Sequence, residues 1–373
     1  MKSKLLDLLV QRSATMGSQK KRQINPPRLL LESFLVLIGL GACLLKLPLA
    51  TEAPISWLEA AFTATSAVTV TGLAVVDTGS EFTLFGQVVI LTPIQLGGLG
   101  LMTFAVLTAL ALGFRMRLSH QVVVKEAFNE VSLQTAKRAG ASIALFALTA
   151  ELIGVAVLSI FFVPEFGWTE GLYQALFYTI SAFNNAGFAL SPDSLSAYVG
   201  HAGISLTVTA LFITGGLGYI VVMEVIEKRR WSRLSVYVKI ILGATLLLNL
   251  LAATRSFLRG NLNVSFFRRS LHQETVLKAL AAVTIGMITV FFAVLALAII
   301  VDDDFLDIAF EAVSAFGTVG LSRGTTAELG SAGQLVIMAV MLIGRLGPLT
   351  LGYTLTVRRK SHVRYATTEF PVG

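Results

Sequence analysis

Hydrophobic and polar positions along this chain segregate on the scale of whole helices. Leu29 to Leu49 is one apolar run, closed by Pro48, and Phe85 to Phe114 and Ala279 to Val301 are runs without a single charged residue. The longer of these can cross a bilayer core of roughly 30 Å. Between the long runs lie shorter ones. Ser56 to Ala67, at about 1.5 Å per residue, is too short to cross, and it predicts a pore helix that enters from one side and stops partway. Backbone that then leaves the helical form inside a membrane must be buried in protein or line a wet cavity. The predicted unit is therefore span, half-helix, extended loop, span. It recurs as Ala139 to Val163, Thr169 to Ala182 and His201 to Met223, and again as Ala279 to Val301, Asp304 to Ala315 and Ser331 to Val357.

The same units repeat in residue detail. Ser66-Ala-Val-Thr-Val-Thr-Gly72-Leu73, Ser181-Ala-Phe-Asn-Asn-Ala-Gly187-Phe188 and Ser314-Ala-Phe-Gly-Thr-Val-Gly320-Leu321 each place Gly six residues after Ser. Each follows a short lead containing aromatic residues. Each precedes, by about thirty residues, a Gly-rich run: Gly97-Gly-Leu-Gly100, Gly215-Gly-Leu-Gly218 and Gly344-Arg-Leu-Gly347. A repeat on this scale describes architecture before it describes any one residue.

Composition and charge sharpen the picture. Of 373 residues, 55% are hydrophobic and only 14% charged, against about 25% charged in a soluble domain. The fold class expected is an all-α polytopic membrane protein. The N-terminal apolar run is short and interrupted by Asp7, unlike a secretory signal. The single cysteine, Cys43, permits no intrachain disulfide and reads as packing. The net charge of +7 follows topology rather than nucleic acid. Basic residues gather at Lys2 to Arg28, Arg115 to Arg138, Lys228 to Lys239, Arg255 to Lys278 and Arg358 to Arg364, which the positive-inside rule makes cytoplasmic. Acidic residues such as Glu59, Asp77, Glu165, Asp302 to Asp304, Asp307 and Glu311 then face outward, where they would attract cations.

One stretch breaks the pattern. Lys239 and Arg255 are both inside-type flanks, yet only Ile240 to Ala253 lies between them, enough for one short crossing and no return. A segment is therefore expected to be missing near Asn249, with a chain break between Leu247 and Ala253. The organisation expected is a cytoplasmic arm at 1–28, repeat 1 at 29–114, repeat 2 at 115–227, a truncated repeat 3 at 228–260, and repeat 4 with a cytoplasmic tail at 261–373.

These motifs resemble the Trk/Ktr/HKT superfamily of potassium transporters, most closely the bacterial Ktr-type membrane subunit. Thr65 to Gly79, Ile94 to Thr103, Ser181 to Phe188 and Ser314 to Ser322 carry the resemblance, which spans nearly the whole chain. It implies four span–pore helix–span units around a central pore, each giving one filter segment with a glycine. It also implies a homodimer in the bacterial plasma membrane, with both termini cytoplasmic, seated on a cytoplasmic ring of nucleotide-binding regulatory subunits. K⁺ is the implied cargo, Na⁺ a candidate activator, and nucleotide enters only through the regulatory subunit. Three filters are present here. Leu250 to Asn261 looks like the segment after the third unit's second span, joined to something like that unit's first span.

Selective K⁺ passage needs backbone carbonyls in place of the ion's water, and glycine permits the dihedrals and close approach this requires. The candidates are Thr69, Val70, Thr71 and Gly72; Asn184, Asn185, Ala186 and Gly187; and Gly317, Thr318, Val319 and Gly320. Single glycines of this kind are usually helix-packing positions; three in one context favour the filter. The Gly-rich runs lack the Lys-Ser/Thr ending of a phosphate loop and read as close-packing sites. Two charges, Glu151 and Arg345, lie at span depth and need a partner or a cavity. Arg345 stands where the family places a pore-facing arginine, which implies a gating or barrier role, the alternative being a structural ion pair. Glu151 reads as structural, its partner unidentified. His120, His201, His272 and His362 have no metal spacing, Asn263-Val-Ser265 lies on the expected cytoplasmic side, and Lys228-Arg-Arg230 reads as a topology anchor. An intramembrane enzyme would need a nucleophile–base pair or metal ligands at span depth, and the chain offers neither. The remaining alternative is a non-conducting membrane anchor for a regulatory complex.

Overall fold

The computed structural model describes residues 26–98, 133–198, 200–229 and 273–347, with short pieces at 234–235, 238, 265–266 and 269–270. The break expected between Leu247 and Ala253 lies outside the described residues, as do His120, His272 and His362. The described chain is almost entirely helical; its one hairpin pairs β1, Ser265–Phe266, with β2, Arg269–Ser270.

Three times a long apolar helix is followed by a short helix and then a further helix. In the first unit these are α1 (Pro26–Leu45), α2 (Trp57–Thr69) and α3 (Leu84–Gly98). α1 stops three residues before Pro48, because the residue ahead of a proline is pushed out of the helical region. α2 begins one residue after Ser56, whose hydroxyl accepts from Glu59 N–H while the Glu59 carboxylate accepts from Ser56 N–H at 2.6 Å, a reciprocal cap. In the second unit α4 (Leu133–Phe166) and α5 (Trp168–Phe183) lead to α6 (Ala202–Leu217). The crossing expected to run from His201 to Met223 is broken at Gly218, whose φ of 76° and ψ of 157° leave the helix before α7 (Tyr219–Lys228) resumes it. His201 caps α6, its Nδ1 accepting from Ile204 N–H at 3.3 Å. The last unit is α8 (Gln273–Ile300), α9 (Phe305–Gly317), the single turn α10 (Thr325–Glu328) and α11 (Ser331–Leu346).

α4 and α8 contain stretches, Ala141–Phe166 and Ala281–Ile300, long and apolar enough to cross a bilayer. Shorter apolar stretches occur in α1, α3, α6 and α11. Their outward faces are large and apolar: Leu145 and Ile153 on α4, Met287 and Phe291 on α8, each more than half exposed. A water-soluble surface would not carry so continuous an apolar face. Cys43 also faces outward from α1, so its expected role in packing is corrected.

Within each unit the three main helices pack on one another. Between units the last helix of one packs on the short helix of the next: α3 on α5, and α11 on α2. The first unit thus sits in the middle. Phe177, Ala186 and Phe188 of the second unit join its core on one side. On the other, Phe62 and Leu73 join a core built by Leu297, Ile308, Ala312 and Ile337 of the last unit. Continued in the same sense, α6 should pack on a further short helix, and α9 should receive a further last helix. Among the described helices no substantial packing of α6 on α9 closes this circuit. A cavity of about 700 Å³ opens beside α9, lined by residues such as Gly286, Met287, Phe291, Val313, Phe316 and Gly344.

Candidate ion-coordinating centre

The three short helices end in the same turn. Val70, Asn185 and Thr318 N–H donate to Ala67, Ala182 and Ala315 O. Thr71, Ala186 and Val319 N–H donate to Ser66, Ser181 and Ser314 O, at 2.8, 2.7 and 3.0 Å. Paired bonds of this kind terminate a helix through one residue in the left-handed region. That residue is Val70 (φ 55°), Asn185 (φ 58°) or Thr318 (φ 49°). None is glycine, and for the β-branched Val70 and Thr318 the conformation costs on the order of 1–3 kcal/mol each. Two residues later Gly72, Gly187 and Gly320 again take positive φ, at 90°, 73° and 77°.

These turns deliver the three glycines to one place. A Cβ on Gly72 would stand 2.2 Å from Ala186 O and 2.8 Å from Gly187 Cα. One on Gly320 would stand 2.1 Å from Thr71 O and 3.0 Å from Gly72 Cα. One on Gly187 would meet Gly72 Cα, Thr71 O and Val319 O at 3.4–3.6 Å. Backbone therefore meets backbone among all three segments, with carbonyl oxygens of residues 71, 186 and 319 at the meeting point. A cation could replace water there with carbonyl dipoles, and the C-terminal ends of three helices favour positive charge nearby.

The Gly-rich runs pack these turns from behind. A Cβ on Gly97, Gly215 or Gly344 would stand 2.4, 1.7 or 2.0 Å from the carbonyl oxygen of Val68, Phe183 or Phe316, in each case two residues after the motif serine. The reading as close-packing sites agrees with this geometry. The second position of each run differs: Gly98 abuts the Asn184 side chain of the next unit, and Gly216 lies near Asn185. Arg345 occupies the same position in the last unit, and its Nη2 donates to Gly97 O of the first at 2.5 Å. No carboxylate bonds this guanidinium among the described residues.

The candidate residues are not alike in role. The Thr69 hydroxyl donates to Thr65 O at 2.7 Å and lies 2.8 Å from the Thr71 hydroxyl, so both side chains are used within the protein. The Asn184 side chain is also turned inward: Nδ2 donates to Ile180 O and to Gln95 Oε1, each at 2.9 Å, and reaches Glu151 Oε1 at 3.4 Å. Gln95 Nε2 in turn donates to both Glu151 oxygens, at 2.8 and 3.1 Å. Glu151, 7% exposed, thus has its partners, and they are amides rather than a cation. Asn185 is exposed; with its amide oriented to suit its neighbours it bonds Phe212 O and Gly216 N–H at 3.3 Å. Gln95 lies within the Ile94 to Thr103 stretch, but the sequence does not mark it as a partner for Glu151, since spacing along one apolar run does not show what folds opposite it.

The last unit stands apart. Leu73 and Phe188, which follow the first two glycines, are 1% and 3% exposed, whereas Leu321 is 60% exposed. The motif serines differ too: Ser66 Oγ accepts from Gly72 N–H at 3.0 Å and Ser181 Oγ donates to Phe188 O at 2.6 Å, while the buried Ser314 Oγ has no partner among the described residues. The acids of this unit do not simply face outward. Glu311 is fully buried, and Asp303 accepts from the Thr325 hydroxyl and from Asp304 N–H, which hold its carboxyl below the usual range. No group of His, Cys, Asp and Glu among the described residues could hold a metal ion.

Comparison with known proteins finds relatives over nearly the whole chain. The family model described as TrkH, cation transport protein, matches residues 12–259 and 244–362. The chain is 37% identical to the Ktr system potassium uptake protein B of Bacillus subtilis, over 94% of this chain and 97% of that one. It is 34% identical to the Vibrio alginolyticus protein of the same name, over 94% and 95%. It is 28% identical to the potassium/sodium uptake protein NtpJ of Enterococcus hirae, over 96% and 99%. The crystal structure of the potassium transporter TrkH from Vibrio parahaemolyticus aligns with 91% of this chain and 86% of its own, at 15% identity and a TM-score of 0.48. The Bacillus alignment runs over 433 positions, while 94% of 373 residues is about 350, so about 80 aligned positions lie opposite no residue of this chain.

Proposed function

The chain belongs to the TrkH family of cation transport proteins, the Trk/Ktr potassium transporters, and on that footing we propose that it is the ion-translocating subunit of a potassium uptake system. These relatives are transporter subunits, not enzymes, and the chain is a membrane protein of the same kind. K⁺ passes over the carbonyls of Thr69 to Gly72, Asn184 to Gly187 and Gly317 to Gly320. Arg345, fixed to Gly97 O, stands at the base of these segments as a barrier to the ion. A homodimer on a cytoplasmic nucleotide-binding ring gates it, with both termini on that side. The observation that carries this reading is the meeting of Gly72, Gly187 and Gly320, each delivered by the same turn at the end of a short helix. Purified protein in K⁺-loaded proteoliposomes tests it: selective K⁺ flux is expected, and its absence would defeat the conducting role.

One observation favours the second reading, a non-conducting anchor of a regulatory complex. Among the described helices the circuit of packing is open between α6 and α9, where the third unit would stand. About 80 unmatched alignment positions, and two family matches that overlap at residues 244–259, support truncation of the third unit. The flux measurement separates the two readings, because an anchor would bind its regulatory ring without passing K⁺.

A further inference from the structure

The backbone that follows Gly320 is held by carboxylates. Asp303, Asp307 and Glu311 stand four residues apart, along one side of α9 and its approach. Thr325 Oγ1 donates to Asp303 Oδ2 at 2.5 Å, and Arg323 Nε pairs with Asp307 Oδ1 at 2.7 Å. Glu311 accepts from three donors: the Ser322 hydroxyl, Arg323 N–H at 3.1 Å and Thr326 Oγ1 at 2.5 Å. A buried carboxylate is costly unless donors satisfy it, and here all three come from one short stretch, Ser322 to Thr326, beginning two residues beyond Gly320 and running into α10. The equivalent positions in the other units, three before the motif serine, are Thr63 and Tyr178. Those units do not need such an anchor. Thr71, Leu73, Ala186 and Phe188 are buried on both sides of their glycines, whereas Val319 and Leu321 are 51% and 60% exposed. Among the described residues the packing that fixes the first two segments is absent from the third, and a charged clamp stands in its place.

We propose that Glu311 is a positioning residue for ion coordination: by fastening Ser322, Arg323 and Thr326 it holds the carbonyls of Thr318 to Gly320 in the geometry that prefers K⁺. This rests on reading the three glycine segments as the filter.

The test uses the full chain in detergent, with thermal unfolding followed against K⁺ and, separately, Na⁺ concentration. Wild-type protein is expected to be stabilised at lower K⁺ than Na⁺. Glu311→Gln, whose single acceptor oxygen cannot serve three donors, is expected to need at least about tenfold more K⁺ and to lose most of the K⁺ preference. Ser322→Ala with Thr326→Val, which leaves the carboxylate in place, is expected to shift the K⁺ dependence in the same direction by less. A lower midpoint with wild-type K⁺ dependence in Glu311→Gln would mean a merely structural role and overturn the proposal. If that variant does not fold, wild-type K⁺ dependence in the double variant overturns it instead. A wild-type protein indifferent to K⁺ defeats the filter reading and the clamp with it; a responsive wild type with unaltered variants defeats the clamp alone.

Discussion

Arg345 reaches from the last helix of the last unit to the carbonyl of Gly97 in the first, a contact between residues 248 positions apart. It occupies the place that Gly98 and Gly216 hold in the other runs, so a cation stands where the repeat otherwise keeps only backbone. If the guanidinium is the barrier to ion passage, Arg345→Ala raises K⁺ flux, and Arg345→Lys, which keeps the charge but not the planar fork, stays nearer wild type. Unchanged flux in a folded Arg345→Ala protein would return the residue to a structural role.

The three glycines are expected to differ in tolerance. Alanine at Gly72 or Gly320 would place Cβ against a carbonyl oxygen at 2.2 or 2.1 Å, whereas at Gly187 the nearest atom lies at 3.4 Å. All three carry the cost of positive φ, about 1–2 kcal/mol. Gly187→Ala is therefore expected to fold with reduced selectivity, and Gly72→Ala and Gly320→Ala to lose midpoint stability markedly further. Thermal unfolding of the three variants side by side checks the order; equal losses would contradict it.

Glu151 binds two amides that span the first and second units. Glu151→Ala leaves the half-buried Gln95 Nε2 without an acceptor, at about 1–3 kcal/mol, while Asn184 Nδ2 keeps Ile180 O and Gln95 Oε1. Glu151→Gln retains an acceptor and should lose less. Calorimetry in detergent measures both, and a Gln variant as unstable as the Ala variant would show that the charge itself matters.

Asp303 links stability to pH. Its carboxyl is held low by Thr325 and Asp304 N–H, so its contribution is full above the unfolded value near 3.9 and is lost as pH falls through the lower folded value. Thr325→Val should remove part of the acid-side loss, flattening the midpoint curve below about pH 4. An unaltered acid limb would show that the bond contributes nothing.

The open edge is chemically addressable. In a Cys43→Ser background, Leu321→Cys is expected to react with a small membrane-permeant maleimide, while Leu73→Cys and Phe188→Cys, at positions 1% and 3% exposed, stay unmodified. Protection of position 321 would mean that the edge is covered in the membrane.

The repeat was legible in the sequence because its signals are local: a serine, a glycine six residues on, and an apolar run of fixed length. Those spacings locate α2, α5 and α9 within two residues of the observed ends. Side-chain roles were less legible, since they depend on what folds opposite. Asn184 looks like a filter residue by position, yet its amide is engaged by Gln95 and Glu151. Glu311 belongs to an acidic stretch that by charge alone should face outward, yet the five residues after Leu321 bury it. The break at Gly218 was hidden by an unbroken apolar run, because hydropathy does not register a backbone dihedral.

The placing of the first unit between the other two has a consequence for how the molecule is made. The face of α2 that receives α11 is synthesised early, and its partner is among the last described helices to emerge. Thr69 and Met341, which meet at 3.9 Å, are separated by 272 residues. Until that distant helix arrives, Phe62 and Leu73 have no cover from the last unit. Local units can therefore assemble as they are inserted, while the joint between first and last must wait for nearly the whole chain. Closing so long a loop is slow and exposes intermediates. A ribosome stalled before Ser331 should leave a nascent protein with its first two units joined and the ion-coordinating centre unbuilt.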